Sequence, residues 1–152
     1  MCIRDRLTVP TGSAARIARF YKEIMGAAVD IGVRHGGFAA SICAGRDQHL
    51  FFRETAERIE GYDGHHIQIY IADFSGPYRR LLEYNRITRD TDPHEWRFDH
   101  IVDLDTNEVL FTIEHEVRSL KHPLYARPLV NRNPAQNNQN YSRGKETFPG
   151  TF

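Results

Sequence analysis

Side chains that could do chemistry alternate with apolar side chains in two segments of the chain. In residues 66–71, His66, an amide and a phenol alternate with three isoleucines, which predicts a β-strand with one apolar and one polar face. In residues 109–117, the same kind of alternation places Glu114 and Glu116 on one face. Imidazole and carboxylate groups on neighbouring polar faces are what a divalent metal site is built from. The two segments therefore predict a metal site.

Glu114 needs a positively charged neighbour if it lies on an inward face. Burying an uncompensated carboxylate costs on the order of several kcal/mol. A metal ion would compensate the charge, and the guanidinium of Arg53 or Arg97 would also do so. His66 likewise has two interpretations, as a metal ligand or as a core histidine held by hydrogen bonds.

Composition bounds the kind of partner that the chain can have. It has 152 residues with 20 basic and 20 acidic side chains, an isoelectric point near 7.1 and no block of like charge, so we expect neither nucleic acid nor an anionic membrane as a partner. No segment approaches the roughly 20 apolar residues that span a bilayer. Two cysteines and no signal-peptide pattern predict a cytoplasmic protein. The expected partner is a small molecule or another protein.

One order of strand and helix patterns occurs twice, which predicts an α+β fold of two tandem βαβββ modules. Ser13 is the predicted N-cap of the first helix and Gly26 its stop. The first module (about residues 7–60) has predicted strands 7–9, 27–33, 37–43 and 48–54 and helix 13–25. The second (about 61–118) has predicted strands 66–71, 86–89, 95–102 and 109–117 and helix 73–84, with Tyr78, Leu81 and Leu82 on its apolar face.

The two ends of the chain differ from these modules. Residues 119–152 contain four prolines and a run of asparagine and glutamine, which predicts an extended arm that is partly disordered. Its first part, 122–130, contains apolar side chains and is expected to dock. Residues 1–6, Met-Cys-Ile-Arg-Asp-Arg, look like a translated sequencing adapter, so we expect native sequence to begin near Leu7.

Several motifs occur together in an order that resembles one superfamily. They are the helix end Arg19-Phe20-Tyr21-Lys22-Glu23-Ile24-Met25-Gly26, the strand Gly64-His65-His66-Ile67-Gln68-Ile69-Tyr70-Ile71-Ala72-Asp73, and a last strand ending in glutamate. Over residues 7–118 the chain resembles the vicinal oxygen chelate superfamily of glyoxalases, extradiol dioxygenases and bleomycin-resistance proteins. The resemblance implies a curved mixed sheet around a cleft, with metal ligands from the first and fourth strands of each module.

Carried onto this chain, those ligand positions fall near position 6 and at His49, His66 and Glu114. Arg6 cannot ligate a metal, because a guanidinium stays protonated. Two histidines and one carboxylate favour Fe(II) or Mn(II), with Ni(II) or Zn(II) as further candidates. The remaining inward-facing residues predicted to bind substrate are Phe51, Gln68, Tyr70 and Thr112, although Tyr70 could instead serve only in packing.

The resemblance implies a metal-dependent enzyme, dioxygenase-like or glyoxalase-like, whose substrate chelates the metal through adjacent oxygens. Glu116 is the predicted catalytic base, or a substitute metal ligand. The alternative is a metal-free protein of the same fold that binds a small molecule such as a drug. The superfamily and the arm together predict a homodimer.

Overall fold

A computed structural model describes residues 3–34 and 36–147 of the chain. The chain forms two βαβββ units in succession, as the sequence predicts. The first contains β1 (Ile3–Pro10), α1 (Ala14–Glu23), β2 (Val29–Arg34), β3 (Gly37–Gly45) and β4 (Gln48–Thr55). The second contains β5 (His66–Ile71), α2 (Ser75–Glu83), β6 (Arg89–Asp92), β7 (Glu95–Val102) and β8 (Val109–Ser119).

Each unit forms a four-stranded mixed sheet with the same strand order. The order is β1-β4-β3-β2 in the first sheet and β5-β8-β7-β6 in the second. The first and last strands of each unit pair in parallel, and the other neighbours pair antiparallel. β1 also approaches β8, so the two sheets meet along these strands.

Helix α1 holds the two sheets together through one continuous apolar core. Its side chains Phe20 and Tyr21 are almost fully buried. Phe20 packs on Phe98 of β7 with ring centroids 5.9 Å apart, and Tyr21 packs on Phe52 of β4 at 5.5 Å. Full burial of such a side chain stabilises the fold by about 1.5–3 kcal/mol. The helix therefore fixes the position of one sheet relative to the other.

The ends of α1 agree with the sequence signals. Ser13 is the N-cap residue, but its hydroxyl donates to the Pro10 carbonyl and caps no helix amide. The amide of Ala14 instead donates to Glu54 Oε1 at 2.9 Å, which ties the helix start to β4. After the helix, Gly26 has φ +69°, in the left-handed region that glycine adopts without a Cβ clash.

The structure corrects several predicted boundaries and contacts. The first strand begins at Ile3, so part of the adapter-like segment pairs with β4. The strand expected at 86–89 is β6 at Arg89–Asp92, because the Arg86 amide still bonds to the Leu81 carbonyl and continues the turn that follows α2. Leu82, expected on the apolar face of α2, is 49% exposed.

The arm contains turns and bends, without helix or strand, over its described part from 120 to 147. Tyr125 packs on Tyr70 with ring centroids 5.3 Å apart, so the beginning of the arm docks as expected. The expected docking of 129–130 is wrong, since Leu129 is fully exposed and Val130 is 59% exposed. Residues 148–152 lie outside the described part. No helix in the described residues is long and apolar enough to cross a membrane.

Candidate functional site

The side of each sheet that faces away from the helices carries most of the predicted site residues, and we call it the open side. In β4, Leu50 and Phe52 are buried toward the helices, so His49, Phe51 and Arg53 belong to the open side. In β8, the buried face holds Ile113, His115 and Val117, so Thr112, Glu114 and Glu116 belong to the open side. The alternation read from the sequence is therefore confirmed in β4 and over residues 112–117 of β8. It fails at the start of β8, where Val109 is 43% exposed and Leu110 is buried.

A cleft of about 710 Å³ lies where the two sheets meet. Its strand-borne walls come from β1, β4 and β8, and the linker 57–65 between the modules completes it. The predicted substrate residue Thr112 lines this cleft, and Phe51 lines a smaller cavity of about 170 Å³ that shares Arg6 and Arg53 with it. The cleft is thus built from both modules.

Gln68 and Tyr70, the other predicted substrate residues, line neither cavity. Gln68 Nε2 donates to the Tyr70 hydroxyl at 3.0 Å, and an Arg118 guanidinium nitrogen lies 3.3 Å from the same hydroxyl. Because Tyr70 also packs on Tyr125, the structure places it under the arm, in agreement with its alternative interpretation as a packing residue.

Strand register identifies the equivalent positions of the two modules. On the parallel pair β5–β8, His66 is the partner of Glu114. On the parallel pair β1–β4, position 6 is the partner of Phe51, whereas His49 is paired with residue 4. The first-module position equivalent to Glu114 is therefore Phe51. His49, which the resemblance placed at this position, lies two residues away from it in the strand register.

The predicted ligands do not form a metal cluster. Within residues 3–34 and 36–147, no three histidine, cysteine, aspartate or glutamate side chains lie together in a way that could hold a metal ion. The structure brings His66 and Glu114 side by side and leaves His49 beside Ser41, whose hydroxyl is 3.3 Å from His49 Nδ1. With Arg6 and Phe51 at the other two positions, the donor set does not fit the implied metal.

Arg97 supplies the positive charge that Glu114 requires. Its Nη1 donates to Glu114 Oε1 at 2.7 Å, and its Nη2 lies 2.9 Å from Glu95 Oε1 and 3.0 Å from Glu116 Oε2. A guanidinium with five donors in a planar fork suits several carboxylates at once. The sequence left a metal ion, Arg53 or Arg97 as the group that compensates the charge of Glu114, and in the structure Arg97 is that group.

Arg118 extends this ion-pair cluster toward the arm. Its Nε donates to Glu95 Oε2 at 2.9 Å, and its Nη2 forms an ion pair with Glu116 Oε1. That ion pair does not have the geometry of a hydrogen bond, and Glu116 Oε1 is buried without one in the described structure. His122 of the arm lies 4.0 Å from Glu95. We call Glu95, Arg97, Glu114, Glu116, Arg118 and His122 the ionic cluster.

Burial and ion pairing act in opposite directions within the ionic cluster. Burial raises the pKa of Glu116 in spite of the nearby guanidinium of Arg118. Burial alone would also raise the pKa of Glu95, but hydrogen bonds from Arg97 and Arg118 outweigh it and hold that pKa below its usual value. Glu116, the predicted base, has a side chain only 7% exposed, and two guanidinium groups contact it.

A buried histidine on the helix-facing side was not among the predicted site residues. His115 is fully buried, stacks on Phe98 with ring centroids 4.1 Å apart, and its Nε2 lies 2.6 Å from the Tyr21 hydroxyl. Its Nδ1 donates to the Ile113 carbonyl at 2.9 Å, which makes Nε2 the acceptor for Tyr21. Burial lowers the pKa of His115 to about 4. The sequence signal for its burial is its alternation with Ile113 and Val117, which places all three side chains on the same face of β8.

Sequence reasoning also missed the cleft residues of the linker. Arg58, Tyr62 and Asp63 line the cleft, but the linker has no strand or helix periodicity from which to predict their placement. Arg53, in contrast, shares the parity of His49 and Phe51 and could be assigned to the open side from the sequence.

Comparison with known proteins identifies the fold. No protein-family model matches the sequence, and no curated protein matches it. Among solved structures, the trypanothione-dependent glyoxalase I of Leishmania major matches with a TM-score of 0.55 at 14% identity, over 78% of this chain and 86% of that chain. A glyoxylase/bleomycin resistance protein/dioxygenase domain from Frankia sp. EAN1pec matches with a TM-score of 0.50 at 18% identity, over 80% of this chain and 93% of that chain.

At these identities the likeness shows the fold. The chain has the fold of the vicinal oxygen chelate superfamily, with the two βαβββ modules in the same arrangement. The resemblance seen in the sequence is confirmed at that level. Because one fold carries many chemistries, the function has to be argued from the site.

Proposed function

We propose that this chain is a metal-independent small-molecule-binding protein, with its ligand in the cleft between the two modules. The observation that carries the proposal is that Glu114, the carboxylate expected to bind a metal, is already hydrogen-bonded to Arg97. The equivalent position of the first module is Phe51, which cannot ligate a metal.

The ionic cluster supports this choice electrostatically. A metal ion at Glu114 would have to displace Arg97 or accept a guanidinium beside it. Arg97 is held by three carboxylates, which together raise its pKa although burial alone would lower it. Removing one partner from such a group leaves uncompensated charges, a change that costs about 3–5 kcal/mol for a buried pair. The resident guanidinium therefore opposes metal binding at this position.

The cleft has the properties of a ligand site. Small-molecule sites are typically concave, of about 300–1,000 Å³, with apolar walls and a few polar groups, and the volume here is about 710 Å³. Phe111 of β8 and Leu7 of β1 are partly exposed and supply apolar surface, while Thr112 and Tyr62 supply hydroxyl groups.

A metal-dependent enzyme is the second candidate, and one observation favours it. His66 and Glu114 are direct register partners on adjacent strands, so one imidazole and one carboxylate lie side by side. Fe(II) or Mn(II) would be the favoured ions for such donors, with Ni(II) or Zn(II) next. This candidate requires a further ligand and the release of Glu114 from Arg97.

Binding of a neutral apolar fluorophore to metal-free protein tests the proposal. N-phenyl-1-naphthylamine should bind in the presence of EDTA, and Thr112→Trp, which fills the cleft, should reduce its affinity at least tenfold. Thr106→Trp is the matched control, because Thr106 is exposed on the turn between β7 and β8 and lines neither cavity. Circular dichroism establishes that both variants fold. Equal affinities for the two tryptophan variants would refute the cleft as the binding site.

A further inference from the structure

We infer that the cleft selects an anionic ligand, whose acid group is bound by Arg53 of β4 at the wall of the cleft and whose apolar body lies along β8. This inference rests on the proposed function and adds the chemical class of the ligand. The acid group is of the carboxylate or the phosphate type, since a guanidinium binds both through paired hydrogen bonds.

Arg53 lines both cavities and has no counter-ion among the residues that the structure describes. It lines both the cleft and the adjoining 170 Å³ cavity. Its guanidinium forms no hydrogen bond or ion pair with any side chain that the structure describes, whereas the arginines of the ionic cluster each contact two or more carboxylates. A cation at a cavity wall without a protein anion is the group that an anionic ligand would neutralise.

Register explains why the two modules differ in charge. On β4, Arg53 is the partner of Thr8, and on β8 the equivalent residue is Glu116, the partner of Gln68. The first module thus has an arginine where the second has a glutamate. At this strand position the first sheet therefore has no carboxylate equivalent to Glu116.

The neighbouring charges reinforce this difference. Arg6 lines both cavities with Arg53, and Arg34 joins them around the smaller cavity, where no carboxylate is among the described lining residues. Arg34 is already paired with Asp30. Since position 6 belongs to the adapter-like segment, Arg53 is the residue on which the inference depends.

The acidic residues in the described lining of the cleft belong to the linker and not to the strands. Glu57, Glu60 and Asp63 all belong to the linker and are exposed, and Arg58 lies among them. The strands β1, β4 and β8 contribute arginines, threonines and apolar residues to the described lining, without a carboxylate. A ligand with its acid group toward the strands would meet positive charge there and apolar surface from Phe111.

A pair of fluorophores with the same apolar body isolates the charge of the ligand. 1-Anilinonaphthalene-8-sulfonate carries an acid group that N-phenyl-1-naphthylamine lacks. Arg53→Met should weaken binding of the sulfonate about tenfold, as expected for loss of a charge-assisted hydrogen bond, and should change binding of the neutral probe less than twofold. Arg79→Met is the control, because Arg79 is exposed on α2 and lines neither cavity. It should leave both affinities unchanged.

The outcomes separate this inference from the proposed function. If Arg53→Met weakens both probes equally or neither, the anionic preference is refuted while binding in the cleft still stands. If the neutral probe fails to bind the unsubstituted protein, the proposed function itself fails. Displacement of the sulfonate by benzoate or by phenyl phosphate then identifies the acid group as carboxylate or phosphate. Displacement by neither compound would overturn the inference.

Discussion

The buried His115 should make the fold lose stability as the pH falls. The neutral imidazole is fully hydrogen-bonded, with Nδ1 donating to the Ile113 carbonyl and Nε2 accepting from Tyr21. Protonation would place a charge in an apolar core beside Phe98. In the unfolded chain the same imidazole faces water and protonates normally. Acid therefore stabilises the unfolded state more than the folded state.

The size of the effect follows from the two pKa values. Burial lowers the pKa of His115 from 6.5 to about 4, and a difference of that size corresponds to about 3 kcal/mol. Because the pKa is depressed in the folded state, this contribution to stability is fully present above pH 6.5. It is lost progressively as the pH falls toward about 4.

The assay compares denaturant unfolding of the unsubstituted protein with that of the double variant Tyr21→Phe/His115→Phe between pH 7.5 and 4. Replacing both partners by apolar residues of similar shape leaves neither polar group unpaired. Other titrating groups affect both proteins alike, so the difference in free energy of unfolding isolates His115. Between pH 7.5 and pH 4, we expect the free energy of unfolding of the unsubstituted protein to fall by about 2–3 kcal/mol more than that of the double variant. A difference that is independent of pH would refute the reasoning.

Two further predictions concern the ionic cluster and the edge of the first sheet. Arg97→Met should lower the free energy of unfolding at pH 7 by about 3 kcal/mol, because it leaves three glutamates with one arginine fewer; a loss below about 0.5 kcal/mol in denaturant unfolding would contradict this. Ile31 and Val33 of the edge strand β2 are 49% and 81% exposed, and apolar residues on an unpaired edge favour association. We propose that these two residues contribute to a homodimer. Light scattering should show a dimer for the unsubstituted protein and a monomer for Val33→Lys. A monomer in both proteins would contradict the proposal.

The fold was predictable because alternation and turn signals occur twice in the same order. The strands His66–Ile71 and Glu95–Val102 were predicted with their observed bounds. Each has a clear alternation between buried and less buried residues at its start. The observed helix boundaries differ from the predicted ones by one or two residues, because the capping residues and not the apolar pattern decide where a helix ends.

The candidate site was predictable in its faces but not in its register. His49 and Phe51 share one face of β4, and a period of two cannot distinguish residues that are two apart. Only pairing with β1 shows that Phe51 occupies the position equivalent to Glu114. The partner of Glu114 was similarly ambiguous between a metal, Arg53 and Arg97. Pairing of β7 with β8 decides for Arg97, which lies opposite Glu116.

The contacts of the arm and linker were the least predictable from sequence. Leu129 is apolar yet fully exposed, because composition indicates which residues prefer burial and not whether a surface is available to cover them. Docking instead depends on Tyr125 and His122, which meet Tyr70.

Elemental analysis by mass spectrometry tests the central claim most directly. The protein and its Arg6→His variant would be purified, incubated with Fe(II), Mn(II), Ni(II) or Zn(II), and freed of unbound metal. The variant introduces a possible ligand at position 6, while Glu114 stays paired with Arg97. The account predicts less than about 0.1 metal ion per chain in both proteins, because the guanidinium of Arg97 already compensates the charge of Glu114. Near-stoichiometric metal in either protein would contradict it and favour the metal-dependent enzyme.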